Sequence, residues 1–122
     1  MSHIVTVKTE VRDRAAVAAA CRRLALAEPV HGTAHLFSGQ ATGLLVRLPD
    51  WLYPVVIDTA TGQARYDNYG GTWGDEKQLH RPLQAYAIER TKIEARKKSY
   101  TTTEQSLADG SIAVDIEIGG AA

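Results

Sequence analysis

Hydrophobic and polar positions alternate at the start of the chain. Over residues 4–11, IVTVKTEV, the side chains of Val5, Val7 and Val11 share one side, while Thr6, Lys8 and Glu10 share the other. A period of two predicts a half-buried strand. The period then lengthens. Val17, Ala20, Cys21 and Leu24 recur at spacings of three and four, the buried stripe of a short alanine-rich helix. Asp13 stands just before it, where a carboxylate can accept from the first unpaired helical amides. Pro29 lies beyond the helix end.

From Thr33 to Asn68 the pattern shortens into strands with turn signals between them. Residues 33–38 and 43–48 form one pair through Ser38-Gly39-Gln40, and 53–58 and 63–67 form another through Thr59-Ala60-Thr61-Gly62. Pro49 and Asp50 separate the pairs. Leu44, Val46 and Leu48 oppose Arg47, and Val55 and Ile57 oppose Asp58, as in an antiparallel sheet covered on one face.

A second helical pattern extends from about Glu76 to Lys98. Its stripe consists of Leu79, Leu83, Tyr86, Ala87 and Ile93, with Arg90 contributing its aliphatic stem. Pro82, which has no N–H to donate, either begins the regular helix or kinks it. Asp109-Gly110 turns the chain into a last strand, where Ile112, Val114, Ile116 and Ile118 alternate with Ala113, Asp115 and Glu117. The tail Gly119–Ala122 is expected to fray. The element order is β-α-β-β-β-β-α-β. It predicts an α+β single domain over residues 1–122, a two-layer sandwich with two helices on one face of one mainly antiparallel sheet.

Composition narrows the function classes. Fourteen Lys and Arg balance fourteen Asp and Glu, so no global charge favours nucleic acid or an anionic membrane as partner. No run approaches the roughly 20 apolar residues of a membrane helix, and the opening MSHIVTVKTE has no apolar signal-peptide core. A cytoplasmic protein is the expectation. The single cysteine, Cys21, lies on an apolar stripe and reads as a buried, inert thiol. Of the histidines His3, His31, His35 and His80, the pair His31 and His35 would share a helix face, but Gly32 and Thr33 place them in a turn entering a strand. No metal site or cofactor is expected from these spacings. Neither a phosphate-loop spacing nor a nucleophile elbow occurs, and no enzyme activity is expected.

Three segments carry candidate function. The loop from Tyr66 to Asp75, which contains Asp67, Asn68, Tyr69, Gly70, Gly71 and Trp73, combines aromatics, glycines and carboxylates. It suits a recognition loop, because glycine lets backbone approach a partner and aromatics give rigid contact area. Packing of Tyr69 and Trp73 against the end of the core is the competing reading. Asp67, Asp75 and His80 would make a small enzyme or ligand site only if one pocket held all three. Arg90, Lys92, Arg96, Lys97 and Lys98 form a basic cluster suited to a nucleic-acid module, although Glu89 and Glu94 interrupt it and helix C-termini favour cations anyway. The open sheet face, expected to present Thr6, Lys8, Glu10, Arg47, Asp58, Asp115 and Glu117, lacks the aromatics of an RNA-binding sheet and suits solvent or a protein partner. The Ile112–Ile118 strand is a candidate edge for pairing with a second copy.

The opening MSHIVTVKTEVRD, the helical stretch QAYAIERTKIEARKKSYTTTEQ and the closing ADGSIAVDIEI together resemble the domain of unknown function 1257 family, which includes a hypothetical chloroplast reading-frame protein and its cyanobacterial and other bacterial relatives. The resemblance spans nearly the full length and keeps the order of elements. The hairpin region from Leu36 to Asp58 is shorter and departs from the chloroplast-type pattern. The resemblance implies no catalytic residue or cofactor. It implies an accessory or adaptor role through protein–protein contact, with an AAA+ ATPase or another small accessory protein as partner.

Overall fold

The computed structural model describes residues 4–118. His3 and the tail Gly119–Ala122 lie outside the described residues. The elements are β1 (Val5–Lys8), α1 (Arg14–Arg23), β2 (Val30–Leu36), β3 (Gly39–Val46), β4 (Val55–Asp58), β5 (Gln63–Tyr66), α2 (Lys77–Lys97), β6 (Thr101–Ser106) and β7 (Ile112–Glu117), with a short 3-10 turn at Tyr69–Gly71 before α2. The α+β class and the order of helices and strands follow the alternation and stripe patterns of the chain. The strand β6 is an addition to that order.

Five strands form one antiparallel sheet in the order β1-β5-β4-β3-β2. Its register puts Val5, Val7, Leu44, Val46, Val55, Ile57, Ala64 and Tyr66 on one face, against α1 and α2. The α1 stripe reaches this core through Ala16, Val17, Ala20 and Cys21, and α2 reaches it through Leu79, Ala85 and Tyr86. Burial of these apolar surfaces is the main stabilising term. Asp13 caps α1 with Oδ1 accepting from the amides of Ala15 at 3.0 Å and Ala16 at 3.3 Å. The Tyr86 hydroxyl accepts from the amides of Arg12 and Asp13 and ties α2 to the same corner. Pro82 is accommodated inside α2.

The opposite face of the sheet departs from the expected charged surface. Ala34, Leu36, Ala41 and Val56 form a second buried cluster with Ile4, Leu45 and Tyr53 around it. Thr6 and Lys8 do lie on this face, on the β1 side. Asp115 and Glu117 do not, because β7 leaves the sheet and pairs with β6 in a separate two-stranded ribbon.

That ribbon sits on the helix layer. Along α2, Gln84, Ile88, Lys92 and Ala95 recur at spacings of four, four and three, a second row distinct from the core stripe. Gln84 Nε2 donates to the Gly110 carbonyl at 3.3 Å, and Lys92 pairs with Glu104 of β6 at 3.0 Å. Ile88 between them and Ala95 just beyond Lys92 are buried. Ala87 and Arg90, read from the sequence as stripe residues, are exposed. They point away from both layers into an open hollow on the side of the helix.

Candidate functional site

The loop between β5 and α2 is built from the inside out. Two polar residues that are almost fully buried, Asp67 at 1% and Asn68 at 2% exposure, anchor it. Buried polar groups are costly unless paired, so their bonds define the loop conformation. Asp67 Oδ2 accepts from the backbone amide of Ser38 at 3.3 Å and its hydroxyl at 3.2 Å, joining the loop to the β2–β3 turn. Asn68 Nδ2 donates to the Gly74 carbonyl at 3.0 Å. The Asn68 carbonyl accepts from the amides of Gly71 at 3.0 Å and Trp73 at 2.9 Å. Between these anchors the backbone turns left-handed at Tyr69, Gly70 and Gly71, with φ of 48°, 59° and 103°. A Cβ at Gly70 or Gly71 would meet nothing within 4 Å, so glycine is needed there for its backbone freedom, not for space.

The outer surface of this loop is aromatic. The Trp73 ring is stacked by Tyr69 with centroids 4.8 Å apart, met at a tilt by Phe37 at 5.4 Å and met edge-on by Tyr53 at 5.7 Å. Such offset and edge geometries are the favoured ones for aromatic pairs. Trp73 is half-buried in the middle, and its carbonyl accepts from the Leu52 amide at 2.9 Å. Phe37 is 66% and Tyr69 43% exposed, and Leu52 is exposed as well. Beneath them, Gly74 lies against Trp51, where any Cβ would fall 2.4 Å from the indole. Trp51 in turn meets Tyr66 edge-on at 5.4 Å. Packing and presentation therefore coexist: Trp73 packs, while Tyr69 and Phe37 face outward.

Tyr69, Trp73, Asp67 and Asn68 belong to one structural unit. Phe37 and Tyr53 belong to it too, arriving from the β2–β3 turn and the β3–β4 connection, distant in sequence from the loop. The only hint was a phenylalanine beside the Ser38-Gly39 turn, where a polar residue is usual. Asp75 and His80 stand apart from the unit. Asp75 Oδ1 accepts from the Lys77 amide at 2.9 Å and serves the start of α2, where Glu76 accepts from the Tyr66 hydroxyl at 3.1 Å. Burial and this carboxylate raise the Tyr66 hydroxyl above its ordinary pKa. His80 is exposed on α2. Asp67, Asp75 and His80 thus serve three separate local environments.

His31 and His35 are exposed on β2, and His35 Nδ1 contacts Gln40 Nε2 at 3.2 Å. Among the described residues no group of His, Cys, Asp and Glu has the arrangement of a metal site. Cys21 is buried, and burial raises its thiol pKa. The space beside it in the core, about 30 Å³ and lined almost wholly by apolar side chains, is far below ligand size.

The basic cluster divides. Lys92 lies in a network with Arg23, Glu89 and Glu104, at 3.4 Å from Glu89 and 3.0 Å from Glu104, while Arg23 reaches Glu104 at 3.0 Å and Glu89 at 3.6 Å. These cations hold the Glu104 carboxyl at about 2, well below its ordinary 4.5. Lys97 pairs with Glu94 at 3.4 Å. Arg90, Arg96 and Lys98 are exposed. No helix among the described residues is long and apolar enough to cross a membrane. Comparison of the chain with protein-family models, curated proteins and solved structures finds no match.

Proposed function

We propose that this protein is a non-catalytic accessory domain that binds a protein partner through the aromatic surface around Trp73. The observation that carries this reading is the outward-facing pair Phe37 and Tyr69, mounted on a Trp73 that three rings hold in place and two buried polar residues fix from below. Exposed aromatics on a preorganised support make strong contacts, because little side-chain or loop entropy is lost on binding. Isolated exposed apolar residues need no explanation, but a contiguous rimmed patch does.

The charges of α2 favour a protein over a nucleic acid as partner. Lys92 and Lys97 are already neutralised by glutamates of the same chain. The resemblance to the domain of unknown function 1257 family adds a setting to the proposal, an assembly containing an AAA+ ATPase or another small accessory protein. The test is affinity purification of the full chain from its native host at low and high salt, alongside a Phe37→Ala/Tyr69→Ala variant. A stoichiometric partner that survives salt and is lost with the variant, whose melting temperature stays near that of the parent, supports the reading. A partner retained by the variant refutes it.

A further inference from the structure

The flank of α2 turned away from the sheet, along the edge of the ribbon, forms the floor of a trough. Two adjoining hollows compose it, about 390 Å³ beside the β1–α1 connection and about 360 Å³ between α2 and β7, and Arg90 and Thr91 line both. The walls are apolar, with Val11, Leu83 and Tyr86 in one half and Tyr100, Ile116 and Ile118 in the other. Ile116 and Ile118 are exposed there. From Leu83 to Lys98 the floor is roughly 22 Å long at the helical rise.

Ala87 and Thr91 lie four residues apart along this floor. Rows of this spacing are the ridges that pack helix on helix, and small side chains in the row let the second helix approach closely.

The charges select the occupant. Four ionised side chains border the trough: Glu10, Arg90, Glu94 and Lys98. Both acids are already paired with cations outside it, Glu10 with Arg12 at 3.1 Å and Glu94 with Lys97 at 3.4 Å. Among the described residues, Arg90 and Lys98 have no carboxylate within ion-pairing distance, whereas Arg23 and Lys92 each have two. The trough thus presents apolar walls and two unneutralised cations about 12 Å apart along the helix.

We infer that this trough is a docking groove for an acidic amphipathic helix of a partner protein. Its apolar face would lie on Ala87 and Thr91 and against the exposed Ile116 and Ile118. Two carboxylates about seven or eight residues apart would reach Arg90 and Lys98. This surface is separate from the aromatic patch and stands or falls independently of it. Two free cations beside one isoleucine wall are too few for a phosphate backbone, which is held by a longer row of charge.

The test begins with a phage-displayed library of random 16-residue peptides selected on the immobilised full chain. The most enriched peptide is then made with a fluorescein label and titrated by fluorescence anisotropy. The expected winner carries two acidic residues at the stated spacing with leucine-like residues between them. Its affinity should fall roughly tenfold or more with Arg90→Glu/Lys98→Glu. Replacing the two acids of the peptide by lysine should restore binding to that variant. Ile118→Ser should weaken binding with the charges intact. Circular dichroism of each variant establishes that the fold is kept. Selection of peptides without the acidic pair, or affinity that ignores both variants, overturns the proposal. So does a labelled 20-nucleotide RNA that binds and is released by the charge reversal, or a dimer of the chain, detected by light scattering, that the reversal dissociates.

Discussion

A two-stranded ribbon alone in water is marginally stable, so β6 and β7 depend on what fixes them to the helices. The ion network around Glu104 is the most direct tie, because it joins β6 to both α1 and α2. A carboxyl held at about 2 instead of 4.5 corresponds to a ceiling of roughly 3 kcal/mol. The Glu104 side chain is 26% exposed and the residue as a whole is open to solvent, so screening reduces this to roughly 1 kcal/mol. The sign follows from the depressed folded-state value. The contribution is fully present above about pH 4.5 and is lost as the pH falls toward 2. Arg23 and Lys92, whose pKa values are raised, stay charged throughout that window. The perturbation is Glu104→Gln at neutral pH, read by hydrogen exchange and mass spectrometry on peptides covering Thr101–Glu117. Exchange in the ribbon should accelerate roughly fivefold while the five-stranded sheet keeps its protection. The parent protein at pH 3 should show part of the same local loss. Unchanged ribbon exchange in both experiments would refute the reasoning, and equal acceleration across sheet and ribbon would show that the network supports the whole fold instead.

Two further outcomes follow from packing and capping. Gly74→Ala places a methyl group against the Trp51 indole, and should cost roughly 1–3 kcal/mol by chemical denaturation and alter the near-ultraviolet circular dichroism of the tryptophans; an unchanged midpoint would show that the loop yields. Asp13→Ala removes the cap of α1 and should lower stability by about 1 kcal/mol, with Asp13→Asn recovering most of it in the same denaturation assay.

What the chain revealed in advance was whatever its neighbours in sequence determine. Asp13 before the alanine-rich stripe, the alternation through Val55 and Ile57, and the Asp109-Gly110 turn are each decided by a few adjacent residues. The ribbon was not legible in this way. Thr101–Ser106 reads TTTEQS, without apolar alternation, and becomes a strand because β7 pairs with it along its whole length. Its seat on the helices depends on Glu104 meeting Arg23, which lies 81 positions away. The charged open face failed for a similar reason. Ala34, Ala41 and Val56 meet only through strand register, and together they bury a second apolar cluster. At the candidate site the unusual composition of Tyr69–Trp73 was visible, whereas the Phe37 and Tyr53 rings come from the β2–β3 turn and the β3–β4 connection. A helix stripe assigned by spacing alone also included Ala87 and Arg90, because spacing cannot tell where a helix turns its flank to solvent.

The single cysteine gives the helix layer a built-in clock. Cys21 sits on the core-facing side of α1, with its thiol raised in pKa by burial. A thiolate must form and meet solvent before it can react with a disulfide reagent, so modification waits on the parting of helix from sheet. With no second thiol in the chain to compete, the reaction reports opening at this one position. Any partner that grips the helices would slow it, and the protein needs no added label to report the event.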